Sequence, residues 1–179
     1  MSPEIKSQLN LFFLALGFFS RIPVPGWVEY SPEKLNQCSR YFAVVGWCLG
    51  SIVALAFYLS QMLFSAPIAV FIAMSVSLLL TGVFHEDGLA DTADGFGGGL
   101  DKQQKLIIMK DSRLGTYGVT VLVMALLGKW LLLSEMTAPI IAILVAYPMS
   151  RALAASFIYD LEYVTESDSK SKPLAMQQT

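Results

Sequence analysis

Residues 82–118 read GVFHEDGLADTADGFGGGLDKQQKLIIMKDSRLGTYG. This segment contains the only histidine and six of the 14 acidic residues of the chain, yet long runs with almost no charge precede and follow it. Four of its carboxylates fall within nine residues, at Glu86, Asp87, Asp91 and Asp94. Like charges at this spacing repel one another unless a cation or water screens them. The segment is therefore predicted to be the functional site.

The rest of the chain has the composition of a membrane protein. Of its 179 residues, 55% are hydrophobic and 15% are charged, whereas a soluble domain carries about 25% charged residues. A membrane helix needs about 20 mostly apolar residues. Four segments qualify, at 41–64, 67–84, 117–133 and 139–158. A fifth, at 9–20, is marginal, and a tilted crossing, a re-entrant helix and an interfacial helix all stay open for it. The prediction is an all-α, polytopic bundle of four to five membrane helices.

Charge distribution predicts the orientation and the partners. The basic residues lie in alternate connections, at 21–40 and 102–113, and in the tail at 170–172. Basic connections stay on the cytoplasmic side of a membrane, so the site segment is predicted to face the cytoplasm. A single membrane-embedded domain is expected at 1–161, followed by a polar tail at 162–179 that is loop or disordered. The net charge of -2 and the scattered basic residues argue against nucleic acid as a partner, while a homo-oligomer stays open.

The spacing of the acidic residues predicts a metal site. If the preceding span continues as a helix through Glu86 to Asp94, then Asp87, Asp91 and Asp94 recur at i, i+4 and i+7 and share one face. Such carboxylates suit Mg²⁺, which proteins commonly hold through a few carboxylates together with substrate phosphates. Asp111 is expected to complete the metal shell. The alternative, a solvated charge cluster at the membrane surface, explains the polarity but not the helical spacing.

Phosphate binding is predicted from two further features of the segment. Gly95, Gly97 and Gly98 are expected to form a turn whose N–H groups cradle a pyrophosphate, although a flexible hinge has the same composition. Arg113, next to Ser112, has a guanidinium that can form paired hydrogen bonds with phosphate oxygens. A charge pair at the membrane edge is the alternative for Arg113.

Three other polar residues lie at or within apolar runs. His85 is a candidate general base if a neighbouring carboxylate orients it, and an interfacial histidine with a local hydrogen bond is the alternative. Lys129 and Arg151 either face the bundle interior or extend to the interface. Carboxylates, glycines and an arginine in one membrane-embedded site together indicate Mg²⁺-dependent transfer from a pyrophosphate.

Two motifs resemble the cobalamin synthase family, also called adenosylcobinamide-GDP ribazoletransferase. They are HEDGLADTADG at 85–95 and KDSRLGTYG at 110–118; RIPVP at 21–25 and the pair at 150–151 are further marks. The resemblance implies a multi-span inner-membrane enzyme that uses Mg²⁺. Its substrates would be adenosylcobinamide-GDP and α-ribazole or α-ribazole 5′-phosphate, and its products adenosylcobalamin or the corresponding 5′-phosphate, together with GMP.

The chemistry of the residues and the resemblance together assign three sets of site residues. Those expected to act in catalysis are His85, Asp87, Asp91 and Arg113. Those expected to bind substrate are Arg21, Gly95, Gly97, Gly98, Ser112, Arg113 and Arg151. Those expected to bind metal are Asp87, Asp91, Asp94 and Asp111.

Other functions stay open from sequence alone. Members of the resembled family are longer, so the chain is expected to be a C-terminally truncated member, and an inactive remnant of the enzyme is one alternative. Another is a CDP-alcohol-type phosphotransferase, although that pattern requires arginine where this chain has Asp91. An aspartate-rich prenyltransferase should show a second acidic loop. A cation transporter should place its carboxylates in mid-span rather than at the end of a span.

Overall fold

A computed structural model describes residues 2–161 of the chain. This region is helical, with no strand in the part described, which confirms the predicted all-α class. Its α-helices are α1 (Pro3–Phe19), α2 (Pro32–Gln37), α3 (Phe42–Gln61), α4 (Ala66–Thr81), α5 (Phe84–Gly98), α6 (Lys102–Ile108), α7 (Thr116–Glu135) and α8 (Pro139–Asp160). A short 3-10 turn, Cys38–Tyr41, joins α2 to α3. The tail predicted at 162–179 lies outside the described residues.

Three helical stretches in the described region are long and apolar enough to cross a membrane. They are Pro32–Gln61, which contains α3, then α7 and α8, and the pair α4 and α5 makes a fourth if it counts as one bent span. This agrees with the predicted helical membrane bundle. The marginal segment at 9–20 lies in α1, which packs Leu11, Ala15 and Phe19 into the core. Its crossing of the membrane stays a prediction.

The acidic helix does not continue the preceding span as the sequence reasoning assumed. Helix α4 ends at Thr81, and Gly82 and Val83 both adopt a left-handed backbone with φ of 64°. A β-branched residue rarely adopts this conformation. These two residues, here called the elbow, turn α5 by 86° from the direction of α4. Asp87, Asp91 and Asp94 are therefore on a helix, as predicted, but on a separate one.

The predicted glycine turn is wrong. Gly95, Gly97 and Gly98 belong to the last turn of α5, so they do not form the open loop that an anion cradle requires. A Cβ at Gly97 would collide with the ring of Tyr117, and one at Gly95 with Met109. The glycines thus allow α5 to approach α6 and α7 closely. Their binding of substrate stays a prediction.

A pair of glycines brings α3 against α8. A Cβ at Gly46 would lie 2.6 Å from the Cα of Pro148, and one at Gly50 would lie 2.9 Å from the Cβ of Tyr147. Small residues four apart allow two helices to approach closely. Close packing matters in a membrane, because the hydrophobic effect does not favour association of helices that are surrounded by lipid tails. Because Arg151 follows Tyr147 by one turn of α8, this contact also positions Arg151.

We expect Gly46→Ala to destabilise the bundle, because its methyl group would meet the backbone of α8. Overpacking of this kind costs about 1–3 kcal/mol, which would lower the unfolding midpoint in detergent micelles. Gly128→Ala in α7 is the matched control, since a Cβ there meets nothing within 4 Å. The control should gain up to about 1 kcal/mol from helix propensity. Equal midpoints for the two variants would contradict the close contact of α3 and α8.

Candidate active site

The elbow places an arginine beside the start of α5. The backbone N–H of Arg21 donates to the carbonyl of Leu80 at 2.8 Å. Its side chain lies over Gly82, where any Cβ would collide with the guanidinium. The absence of a side chain at Gly82 therefore serves both the left-handed backbone and the approach of Arg21. Sequence reasoning assigned Arg21 to substrate binding, and the structure locates it next to the acidic helix.

His85 lies in the first turn of α5, against the end of α1. Its ring stacks on Phe19 with centroids 5.8 Å apart and an interplanar angle of 14°. Desolvation by the surrounding side chains lowers the pKa of His85, and the positive charge of Arg151 lowers it further, although Glu86 acts in the opposite direction. A lowered pKa favours the neutral imidazole, which is the form that accepts a proton.

The predicted acidic face is present on α5. Asp87 is exposed and Asp91 is partly buried. Desolvation raises the pKa of Asp91, and the neighbouring charges of Asp87 and Asp94 raise it further. A bound cation would relieve this repulsion, because it favours the ionised carboxylates. The helical spacing therefore brings the three carboxylates close enough to interact.

Asp94 has a second set of partners that the sequence did not indicate. It is buried, and its carboxylate accepts hydrogen bonds from the backbone N–H groups of Gly115 at 2.7 Å and Gly118 at 2.8 Å. These N–H groups belong to the first turn of α7, where they have no partner within the helix. Asp94 thus caps α7 from another helix, and its negative charge complements the helix dipole.

Asp111 and Arg113 form an ion pair in the connection between α6 and α7. A guanidinium nitrogen of Arg113 lies 2.6 Å from a carboxylate oxygen of Asp111. The hydrogen bonds from Arg113 lower the pKa of Asp111. Because Gly115 is bonded to Asp94, this connection, including the exposed Ser112, lies close to the C-terminal half of α5. This arrangement matches the alternative given for Arg113 above, a charge pair at the membrane edge. The Arg113 side chain is largely exposed.

The acidic side chains of this site meet part of what Mg²⁺ requires of its ligands. In the described part of the chain, no group of three His, Cys, Asp or Glu side chains is arranged to hold a metal ion. Mg²⁺ commonly keeps several waters and takes only one or two carboxylates plus substrate phosphates. Asp87 and Asp91 meet this smaller requirement, whereas Asp94 and Asp111 are engaged with the backbone of α7 and with Arg113. The residues thus fit a metal that a phosphate ligand helps to hold.

Three residues around His85 and Arg151 had no assigned role in the sequence reasoning. Glu86 follows His85 on α5, Tyr147 on α8 lies against Arg151, and Lys129 on α7 approaches the ring of Tyr147. The charges of Glu86, Lys129 and Arg151 act on one another. Arg151 is buried, so it faces the bundle interior rather than extending to the interface. The sequence signal for this cluster was the presence of two basic residues within apolar runs, but their partners lie far away along the chain.

The chain is similar to known proteins along nearly its whole length. The family model CobS, described as cobalamin-5-phosphate synthase, matches residues 11–179. A protein of Vibrio cholerae serotype O1 named adenosylcobinamide-GDP ribazoletransferase is 56% identical over 181 residues, which cover 99% of this chain and 69% of that protein. Proteins with the same name from Vibrio parahaemolyticus and Shewanella pealeana are 55% and 54% identical, over 98% and 97% of this chain and 68% and 69% of their own lengths. No solved structure matches the chain significantly.

Proposed function

This chain belongs to the cobalamin-5-phosphate synthase family and is a transferase of cobalamin synthesis, and on that premise we propose its reaction. Its substrates are adenosylcobinamide-GDP and α-ribazole or α-ribazole 5′-phosphate. The products would be adenosylcobalamin or its 5′-phosphate, and GMP. We further propose that the reaction depends on Mg²⁺, and that the enzyme lies in the cell inner membrane with this site facing the cytoplasm.

One observation carries the proposal: α5 presents a face of interacting carboxylates whose two ends lie next to arginines. Arg21 and Arg151 lie near its start, and Arg113 lies in the connection that meets its C-terminal half. A diphosphate can bind to such a face only if its own charge is balanced, because carboxylates repel phosphate oxygens. Mg²⁺ bound at Asp87 and Asp91 would supply that balance and neutralise charge on the leaving phosphate.

The chain's own residues account for the remaining steps. A hydroxyl oxygen of the ribazole attacks the phosphorus that carries the cobinamide group, and a new P–O bond forms. The P–O bond to GMP breaks, and GMP leaves with the bonding electron pair. His85 is the proposed acceptor of the hydroxyl proton, and its neutral imidazole suits this role. Arg113 is the proposed ligand of the phosphate oxygens, in exchange for its exposed pairing with Asp111.

The direct test is turnover by the 179-residue chain, reconstituted in lipid nanodiscs. Given adenosylcobinamide-GDP, α-ribazole and Mg²⁺, we expect GMP and a cobalamin in equal amounts, both measured by mass-resolved chromatography. Chelation with EDTA should stop the reaction, and added Mg²⁺ should restore it. An absence of product from a folded chain would favour the inactive-remnant alternative, and turnover that persists in EDTA would contradict the metal requirement.

A further inference from the structure

Arg151 is buried in the bundle with part of its hydrogen-bonding capacity unused. Only 6% of the residue is exposed. Its guanidinium carbon lies 4.8 Å from the ring centroid of Tyr147 and 5.8 Å from that of Phe19. One terminal nitrogen donates to the carbonyl of Tyr147 at 3.3 Å and to the hydroxyl of Ser150 at 3.0 Å. The Nε atom has no partner among the described residues.

Lys129 brings a second positive charge to the same place from α7. Its ammonium lies 6.0 Å from the ring centroid of Tyr147, the ring that Arg151 also contacts. Both cations therefore approach one aromatic side chain from different helices, and their charges act on each other. Tyr147 is held by a hydrogen bond between its hydroxyl and that of Ser77 on α4, so the ring that both cations approach is fixed in place.

Glu86 is the acidic group whose charge acts on this pair. Its charge interacts with those of Lys129 and Arg151, yet no ion pair joins them in the described part of the chain. One of its buried carboxylate oxygens has no hydrogen-bond partner there. His85 precedes Glu86 on α5, and its lowered pKa favours the neutral imidazole. Arg21 adds a positive charge at the elbow.

These groups leave an excess of positive charge among apolar helices. Two cations, Lys129 and the buried Arg151, act on one carboxylate, that of Glu86. A charge without a partner is costly in such surroundings and normally pairs with another charge or marks a ligand site. The unused Nε of Arg151 supplies a donor suited to an oxyanion. An anion placed between the two cations would satisfy both requirements.

We propose that Lys129 and Arg151 bind a phosphate group of the nucleotide-bearing substrate, and that Glu86 weakens this binding so that the nucleotide product can leave. The identity of the anion rests on the proposed function, whereas the existence of the anion site rests on the charge cluster alone. The site differs from the carboxylate face of α5 in that it needs no metal, so binding at the two places can be tested apart. Lys129 and Glu86 thereby acquire roles that neither the spacing of the acidic residues nor the two motifs indicated.

The test is metal-free binding of inorganic pyrophosphate, measured by calorimetry in EDTA on the chain in phosphatidylcholine nanodiscs. EDTA removes any contribution from the carboxylate face, and this lipid has no net charge. We expect saturable binding that weakens with salt. Lys129→Met should reduce the affinity about tenfold, which corresponds to a loss of about 1.4 kcal/mol. Arg151→Lys should reduce the affinity as well. Glu86→Gln should instead strengthen binding, an effect that a merely structural role would not produce.

Lys6→Met is the matched control, because it removes the same charge near the far end of α1, about 20 Å along the helix from Phe19. It should leave binding unchanged. If Arg151→Lys does not fold, Lys129→Met and Glu86→Gln still decide the outcome. No pyrophosphate binding by the unaltered chain, unchanged affinity in Lys129→Met, or weaker binding in Glu86→Gln would each overturn the proposal.

Two further outcomes separate this inference from other possibilities. Turnover with Mg²⁺ in a chain that shows no metal-free binding would overturn the anion site but leave the proposed function intact. Metal-free binding without turnover would support the site while the proposed function fails. A lipid headgroup is a competing source of phosphate. If phosphatidylglycerol nanodiscs abolish the Lys129-dependent part of the binding while Lys6→Met changes nothing, the assignment to substrate is overturned.

Discussion

Asp91→Asn is expected to lower the rate of GMP release by at least about 100-fold, the loss typical when one group that stabilises transition-state charge is removed. Asp91 lies between Asp87 and Asp94 on α5; desolvation raises its pKa, and the charges of these two carboxylates raise it further. The amide keeps the shape of the side chain but removes the charge that a cation would need. Of the three carboxylates on this face, Asp87 alone would then remain to bind a cation, because Asp94 is bonded to the backbone of α7.

The measurement is GMP release as a function of Mg²⁺ concentration, together with the unfolding midpoint of each variant. Asp91→Asn should shift the Mg²⁺ dependence to higher concentrations without lowering the midpoint. Asp101→Asn is the matched control: Asp101 caps α6 by accepting from the N–H of Gln104 at 2.8 Å, and asparagine caps helices equally well. Unchanged turnover in Asp91→Asn would remove this residue from the metal site.

Asp94→Ala is expected to have the largest effect on stability, because Asp94 joins α5 to α7 through two hydrogen bonds. The carboxylate accepts from Gly115 and Gly118, and the residue is buried. Truncation leaves two N–H groups without a partner, and each such loss costs about 1–3 kcal/mol when the bond involves a charged group. We therefore expect the free energy of unfolding to fall by about 2–6 kcal/mol, twice the cost of one such loss.

Unfolding in detergent micelles, with and without Mg²⁺, separates the two possible roles of Asp94. If its main role is to cap α7, the loss of stability is the same in EDTA and in Mg²⁺. Thr92→Ala is a suitable control on the same helix, since its exposed hydroxyl only donates to the carbonyl of Gly88 within α5. A stability loss that appears only in Mg²⁺ would assign Asp94 to the metal instead.

The sequence predicted the membrane helices well because their signal is local. A run of apolar residues identifies a span by its length and composition, and the described helices α3, α7 and α8 follow the predicted segments within a few residues. The errors occur where backbone geometry decides. The segment 67–84 was read as one span, but it ends at Thr81 because Gly82 and Val83 adopt the left-handed conformation.

The glycines after Asp94 show a second kind of error. Glycine is common both in anion-binding turns and where helices approach closely, and composition does not distinguish these uses. Gly97 faces the ring of Tyr117, 20 residues later in the chain. The contact that explains the glycine was therefore not visible in the motif that contains it.

The sequence alone determined that the protein is a helical membrane protein with a carboxylate face on one helix, because both properties follow from the order of nearby residues. Helical spacing places Asp87, Asp91 and Asp94 on one side whatever the rest of the chain does. Only the tertiary structure decided which of these carboxylates are available to a ligand. Asp94 bonds to α7, and the charges of Lys129 on α7 and Arg151 on α8 act on Glu86, because helix packing brings together groups that are distant along the chain.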